Sequence, residues 1–170
     1  GRVAVRERTR VTELAVRNGA IVGVRCAEGS AGDVIAADAV VIATGGYAAL
    51  YARTSNHLGA RGQGVALAAR AGALLADLEF VQFHPTALVA PDGASAFLIS
   101  EAVRGAGAVL RDGAGSRFMR DAHPMAELAP RDVVSRHIDR VMRKRGEPCV
   151  WLDATGLERD GGAGALARRF

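Results

Sequence analysis

Three short stretches carry side chains that could do chemistry: Gln82 and His84 in LEFVQFHPTAL, Ser100, Glu101 and Arg104 in FLISEAVRGAGA, and Arg131 with Asp132 in ELAPRDVVSRHID. A fourth, VVIATGG, ends in Thr44-Gly45-Gly46, where backbone without side chains can lie close to a ligand. Most of these residues have a plain explanation. A histidine after an apolar run is commonly structural. Ser-Glu at a helix start is commonly a cap, because both satisfy free N–H groups and suit the helix dipole. Asp132 has the same reading. Arg104 is either a solvated helix charge or an i,i+3 partner of Glu101. Arg131 resists such an account. A cation in the first helical turn meets the positive end of the dipole, so something anionic must offset it, either a neighbouring carboxylate or a bound ligand.

The elements that must position these groups are legible in part. Asn18-Gly19 stands between two alternating runs, a strong hairpin signal, and residues 1–46 read as β-structure. Ala39 to Ala43 is an apolar run without alternation, the pattern of a strand buried on both faces of an α/β sheet. GQGVALAARAGA predicts a short helix with Gly64 near its start and Gly72 as its stop. The apolar run LLADLEFVQF leads, strand-like, to His84-Pro85, where Pro85 fixes φ and ends it. A second short helix begins near Ser100 and stops at Gly105. The turn RDGAGSRF separates two expected strands. The longest helix lies in LAPRDVVSRHIDRVMRKRG, with Pro130 in its first turn. Val133, Val134, Ile138, Val141 and Met142 form its apolar face, and Gly146 stops it.

The totals bound the function. The chain has 170 residues, 49% hydrophobic and 24% charged, which suits a soluble globular protein. No apolar run approaches the ~20 residues that cross a bilayer, and no signal-peptide pattern opens it. Without an initiator Met, it reads as a piece of a longer protein. A net charge of +4, from 22 basic and 18 acidic residues, could favour anions. With aromatics at 5% and no nucleic-acid-binding signature, nucleic acid is a poor partner. Cys26 and Cys149 match no metal or redox spacing, which fits reduced thiols in a cytoplasmic protein and no metal site.

VVIATGG, LEFVQFHPTAL, FLISEAVRGAGA, RFM and ELAPRDVVSRHID, in this order and spacing, resemble the fumarate reductase and succinate dehydrogenase flavoprotein superfamily. The Leu after HPTA, the wording ELAPRD and the later WLDATGL resemble its L-aspartate oxidase branch. The resemblance covers roughly residues 35 to 157. It implies an α+β or α/β fold: residues 1–77 as the later part of a Rossmann-like FAD-binding domain, and 78–170 as most of a capping domain. It implies FAD as cofactor and a four-carbon dicarboxylate as substrate. Gln82, His84 and Ser100 would bind one substrate carboxylate. Arg131 would be the catalytic arginine, with Glu101 and Arg104 as the relay that serves it. Ala43, Thr44, Gly45, Gly46 and Gln63 would face the cofactor.

Departures from the family pattern are specific. Ser100 stands where Thr is frequent, Ala106 where Glu is common, and Gln63 where Asp is usual near the flavin; the usual Pro after Asn56 is missing. No GxGxxG follows a strand, and the second His and Arg expected on the other substrate carboxylate are not in this sequence. The expectation is that this chain alone neither binds FAD tightly nor oxidises aspartate, and that its parent uses oxygen or fumarate as acceptor. Two competing readings are a succinate dehydrogenase or fumarate reductase flavoprotein and a non-catalytic basic α/β module that binds anions.

Overall fold

The computed structural model describes residues 3–27, 34–89 and 96–159. It divides into two compact units. One runs to Tyr51 and takes in Asn56–Glu79; the other holds Ala52–Ser55 and the chain from Phe80 onward.

In the first unit, β1 (Val11–Arg17), β2 (Ala20–Cys26) and β3 (Val34–Ala36) form an antiparallel sheet in sequence order. The hairpin between β1 and β2 turns at Asn18 and Gly19, both with positive φ (52° and 78°), as a two-residue primed turn requires. Helix α1 (Gln63–Arg70) follows Gly62 in the left-handed region, and Gly72 ends it at φ 88°. Leu67 on α1 and Leu14 and Ala15 on β1 are the buried apolar residues of these elements. Gly64 allows a close approach: a Cβ there would lie 2.0 Å from Thr44 Oγ1 and 2.7 Å from Ile42 Cγ2. No side chain fits at that position without moving the chain near Thr44.

Two expectations fail here. Ala39 to Ala43 is not a buried strand: it pairs with no strand among the described residues, and Val41 is 88% exposed. An apolar run reports that its side chains belong under cover; it does not supply the flanking strands that cover them. The second failure is the run before His84. It forms no strand, and Leu74, Phe80 and Phe83 are exposed.

The second unit is built from short pieces. β4 (Ala87–Val89) pairs antiparallel with β5 (Ala96–Leu98), and β6 (Val109–Arg111) with β7 (Trp151–Asp153). Helix α2 spans Glu101–Gly105, α3 spans Arg131–Arg145 and α4 spans Gly156–Arg159. After the turn that follows β6, the expected second strand is instead one bridge, Arg111 to Arg117, and a 3-10 turn at Phe118–Arg120. Asp112 imposes that turn, because its carboxylate accepts from the backbone N–H groups of Ala114 and Ser116 and pairs with Arg145 at 2.6 Å.

The core gathers Leu110, Met119, Ala129, Val134 and Ile138, with Val133, Met142 and Leu152 against it. Thus α3 buries Val134 and Ile138 with Val133 and Met142 beside them, four of the five residues of the expected stripe; Val141 is not part of this core. Pro130 is its N-cap rather than part of its first turn, and Gly146 closes it at φ 68°. At the end of β7, Thr155 and Arg111 hold Asp153 down to about 2. The Thr155 hydroxyl donates to it at 2.6 Å and Arg111 Nε at 2.7 Å. The WLDATG wording is thereby explained locally, as a strand end locked to its neighbour.

Leu110 is 1% exposed at the centre of this core. Leu110→Ala is expected to destabilise the second unit by about 2–5 kcal/mol, read as a lower urea midpoint. Leu74→Ala, at a position 98% exposed, should change the unfolding free energy by less than about 0.5 kcal/mol.

Candidate active site

The second unit brings together every residue expected to touch substrate or relay protons. Thr86 starts the arrangement. It is buried, its hydroxyl donates to Ile99 O at 3.1 Å, and Ile99 N donates to Thr86 O at 3.0 Å. This double link, just ahead of β4 and just behind β5, sets His84 two residues on one side of it and Ser100 one residue on the other. Ser100 is the N-cap of α2, accepting from Ala102 N at 3.3 Å. The capping explanation for Ser100 therefore holds. His84 Nδ1 lies 3.2 Å from Thr86 N and 3.0 Å from Thr86 O, so it has a partner in either tautomer. Its Nε2 makes no hydrogen bond among the described residues. Burial, and then the nearby Arg131 and Arg104, push the imidazole below the ordinary histidine value, which keeps it neutral at physiological pH.

Helix α3 supplies the centre. Arg131 Nε donates to Glu101 Oε2 at 2.7 Å and NH1 donates to Gln82 Oε1 at 3.0 Å. The anion that offsets the helix dipole is thus a carboxylate of the chain itself. That hydrogen bond holds Glu101 below the usual carboxylate range, and the nearby Arg104 acts the same way. Arg104 NH2 lies 3.7 Å from the same Glu101 oxygen, close enough for attraction and too far for a hydrogen bond. The Arg104 side chain is fully buried, and its pKa is lowered by desolvation. One turn along α3 from Arg131, Ser135 Oγ donates to Phe83 O at 2.7 Å. Arg131 and Ser135 lie i,i+4 on one face and together grip Gln82 and Phe83. Ser135 was not expected from sequence; its only signal was a hydroxyl four residues after Arg131.

The residues expected to face a cofactor lie in the first unit, where Thr44 and Gln63 line a cleft of about 610 Å³ beside α1, with Arg10, Arg61 and Arg70. Gln63 Oε1 accepts from Arg61 N at 3.3 Å, leaving its amide N–H groups without a partner among the described residues. Ala43, Gly45 and Gly46 do not line that cleft. Gly45 adopts φ 73°, and a Cβ at Gly45 or Gly46 would meet nothing within 4 Å. Bare backbone beside open space fits a ligand lying against it. No group of three or more His, Cys, Asp or Glu among the described residues could hold a metal, and none of the described helices is long and apolar enough to cross a membrane.

Residues 1–169 match the family model for an FAD binding domain. The chain belongs to the FAD-binding domain family. Relatives of this chain include an L-aspartate oxidase of Agrobacterium fabrum, 51% identical over 152 residues, covering 89% of this chain and 28% of that protein. One from Nostoc sp. is 55% identical over 130 residues, covering 74% and 22%. A point variant of E. coli quinol fumarate reductase superposes with a TM-score of 0.70 at 30% identity over 85% of this chain and 28% of that one. A flavocytochrome c3 fumarate reductase in an open conformation gives 0.53 at 35% identity. The α+β FAD-binding fold expected from the sequence is the fold this family has, and FAD is its cofactor. The chain spans about a quarter of the length of the relatives it matches.

Because Glu101 is depressed in the folded state, its contribution to stability is present above the usual carboxylate range and is lost as pH falls through its lowered value. The stabilities of the protein and of Glu101→Gln, read from thermal midpoints, should therefore differ near pH 6 and converge as pH falls through and below that lowered value. The difference should stay within about 1 kcal/mol, since the carboxylate is 43% exposed and screened. Ser135→Ala should cost about 0.5–1.5 kcal/mol in a denaturant titration, the loss of one hydrogen bond to a backbone carbonyl.

Proposed function

We propose that this chain carries part of the flavin-facing surface and half of the substrate grip of an FAD-dependent L-aspartate oxidase. The reaction is oxidation of L-aspartate to iminoaspartate, the first step of the bacterial route from aspartate to NAD, in the cytoplasm. The observation that carries the reading is Arg131, anchored through Nε by Glu101 and through NH1 by Gln82 while its side chain remains 42% exposed. The FAD-binding family match and the L-aspartate oxidase names of its relatives support the same assignment.

The charge balance suits a dicarboxylate. Two guanidinium groups, Arg104 and Arg131, face one carboxylate, Glu101, and His84 is kept neutral. Two positive charges less one negative leave a net +1, so a substrate carboxylate completes the cluster. Gln82, the free Nε2 of His84 and the Ser100 hydroxyl bind that carboxylate, and Arg131 holds and polarises the substrate beside them. Preorganised donors of this kind are commonly the largest catalytic term. Arginine, with a pKa above about 12, is a poor proton donor, and hydride loss from the substrate Cα asks none of it. When bound, FAD supplies the hydride acceptor. Ala43, Thr44, Gly45, Gly46 and Gln63 would lie along it. In this reading the first unit, residues 1 to about 77, is the later part of the FAD-binding domain. Residues from about 78 form most of the capping domain, a division the compact units support with a break at Glu79.

A second reading rests on Glu101, which stands between Arg131 at 2.7 Å and Arg104 at 3.7 Å as a proton relay would. It makes the protein a fumarate reductase or succinate dehydrogenase flavoprotein. The full-length protein, loaded with FAD, is expected to produce hydrogen peroxide with L-aspartate as the donor. Arg131→Lys should lower kcat/KM about a hundredfold or more while the flavin absorbance is retained. Peroxide-free oxidation of succinate coupled to a quinone would replace the first reading with the second. Unchanged turnover in Arg131→Lys would sink both.

A further inference from the structure

Arg104 has few anchors. Its side chain is fully buried, yet Nε and NH2 have no hydrogen-bond partner. NH1 alone is anchored, donating to the backbone carbonyl of Glu127. A buried guanidinium with five N–H groups and one anchored nitrogen takes its orientation from that single acceptor.

The carbonyl is itself fixed by an unusual feature. Glu127 lies in a 3-10 turn, Ala126–Leu128, and is 3% exposed. Its Oε1 accepts from Arg117 Nε at 2.9 Å and from Leu110 N at 3.1 Å, and its Oε2 accepts from Arg117 NH2 at 2.6 Å. The turn is therefore bolted to β6 and to the start of the Phe118–Arg120 turn. Ala126, the first residue of that turn, has φ 44°, a backbone state that a non-glycine residue adopts only when its surroundings enforce it. Three residues beyond Glu127 the chain reaches Pro130, the cap of α3, and then Arg131. One buried carboxylate thus stands behind both arginines of the cluster.

We propose that the Glu127–Arg117 pair is a positioning device for the active site: by fixing the Glu127 carbonyl it aims Arg104 at Glu101, and so sets the Glu101–Arg131 contact. Neither residue touches the expected substrate positions; they act through Arg104. The kinetic part rests on the functional reading above, whereas the positional part stands on geometry alone.

Two measurements test it. In the 170-residue chain, the guanidinium protons of Arg104 are expected to exchange slowly with solvent in NMR spectra. In Glu127→Gln they should exchange at least tenfold faster, with the methyl signals of Val134 and Ile138 unmoved. Should Glu127→Gln not fold, Arg117→Lys, which keeps the charge and one donor, takes its place with a smaller change in the same direction. Arg104 signals unchanged in both variants would overturn the proposal. In the FAD-loaded full-length protein, Glu127→Gln should lower kcat on the order of tenfold with KM for L-aspartate little changed. In an Arg104→Met background it should lower kcat no further, because Arg104 is the route by which it acts. Additive losses would mean a merely structural pair and overturn the proposal. A wild-type protein inactive on L-aspartate, fumarate and succinate would instead sink the functional reading, leaving the exchange measurement to decide the positional one.

Discussion

The second unit is organised around a cation placed at the wrong end of a helix. Arg131 begins α3, where the unpaired N–H groups already make the field positive. The position is tolerable because Glu101, 30 residues earlier, presents its carboxylate at 2.7 Å, and Gln82, 49 residues earlier, presents its amide oxygen at 3.0 Å. The strand pairs of this unit are three residues long and hold little by themselves. Side-chain contacts made by α3 join what those short ladders leave separate: Arg131 and Ser135 fasten the stretch around His84, and the same helix buries Val134 and Ile138 in the core. Side-chain anchoring and core packing share one element.

Local rules are broken where the chemistry is expected. Arg104 is a buried cation with most of its donors unsatisfied, an arrangement that burial alone would penalise. His84 is held neutral, and Glu101 is held ionised below the usual range. Environments that push neighbouring groups apart in this way are concentrated at functional sites, although ion-pair networks produce them too. Here the charged groups converge from three separate segments, around His84, in α2 and at the start of α3.

Much of this was legible in the sequence, and for identifiable reasons. Asn18-Gly19, the Ser100 cap and the apolar stripe of α3 with its Gly146 stop are local signals, and each formed as expected. The dipole argument asked for an anion beside Arg131, and one is there. What failed was inference about long-range surroundings. Ala39 to Ala43 and the run before His84 have strand-like composition, but a strand exists only where a partner supplies the ladder. Glu127 was invisible for the opposite reason. In sequence it is one acidic residue in a turn, and nothing local says that Arg117 and Leu110 will close around it.

The stretch from Ala39 to Ala43 has a consequence for handling the chain in solution. Val41 and Ile42 are exposed, and the backbone groups around them are not engaged in a ladder among the described residues. A short β-branched segment without charge between Val40 and Ala43 offers its N–H and C=O groups to any extended chain that meets it. Asp38, next to this segment, is the nearest charge that can keep two copies from adding to one another edge to edge.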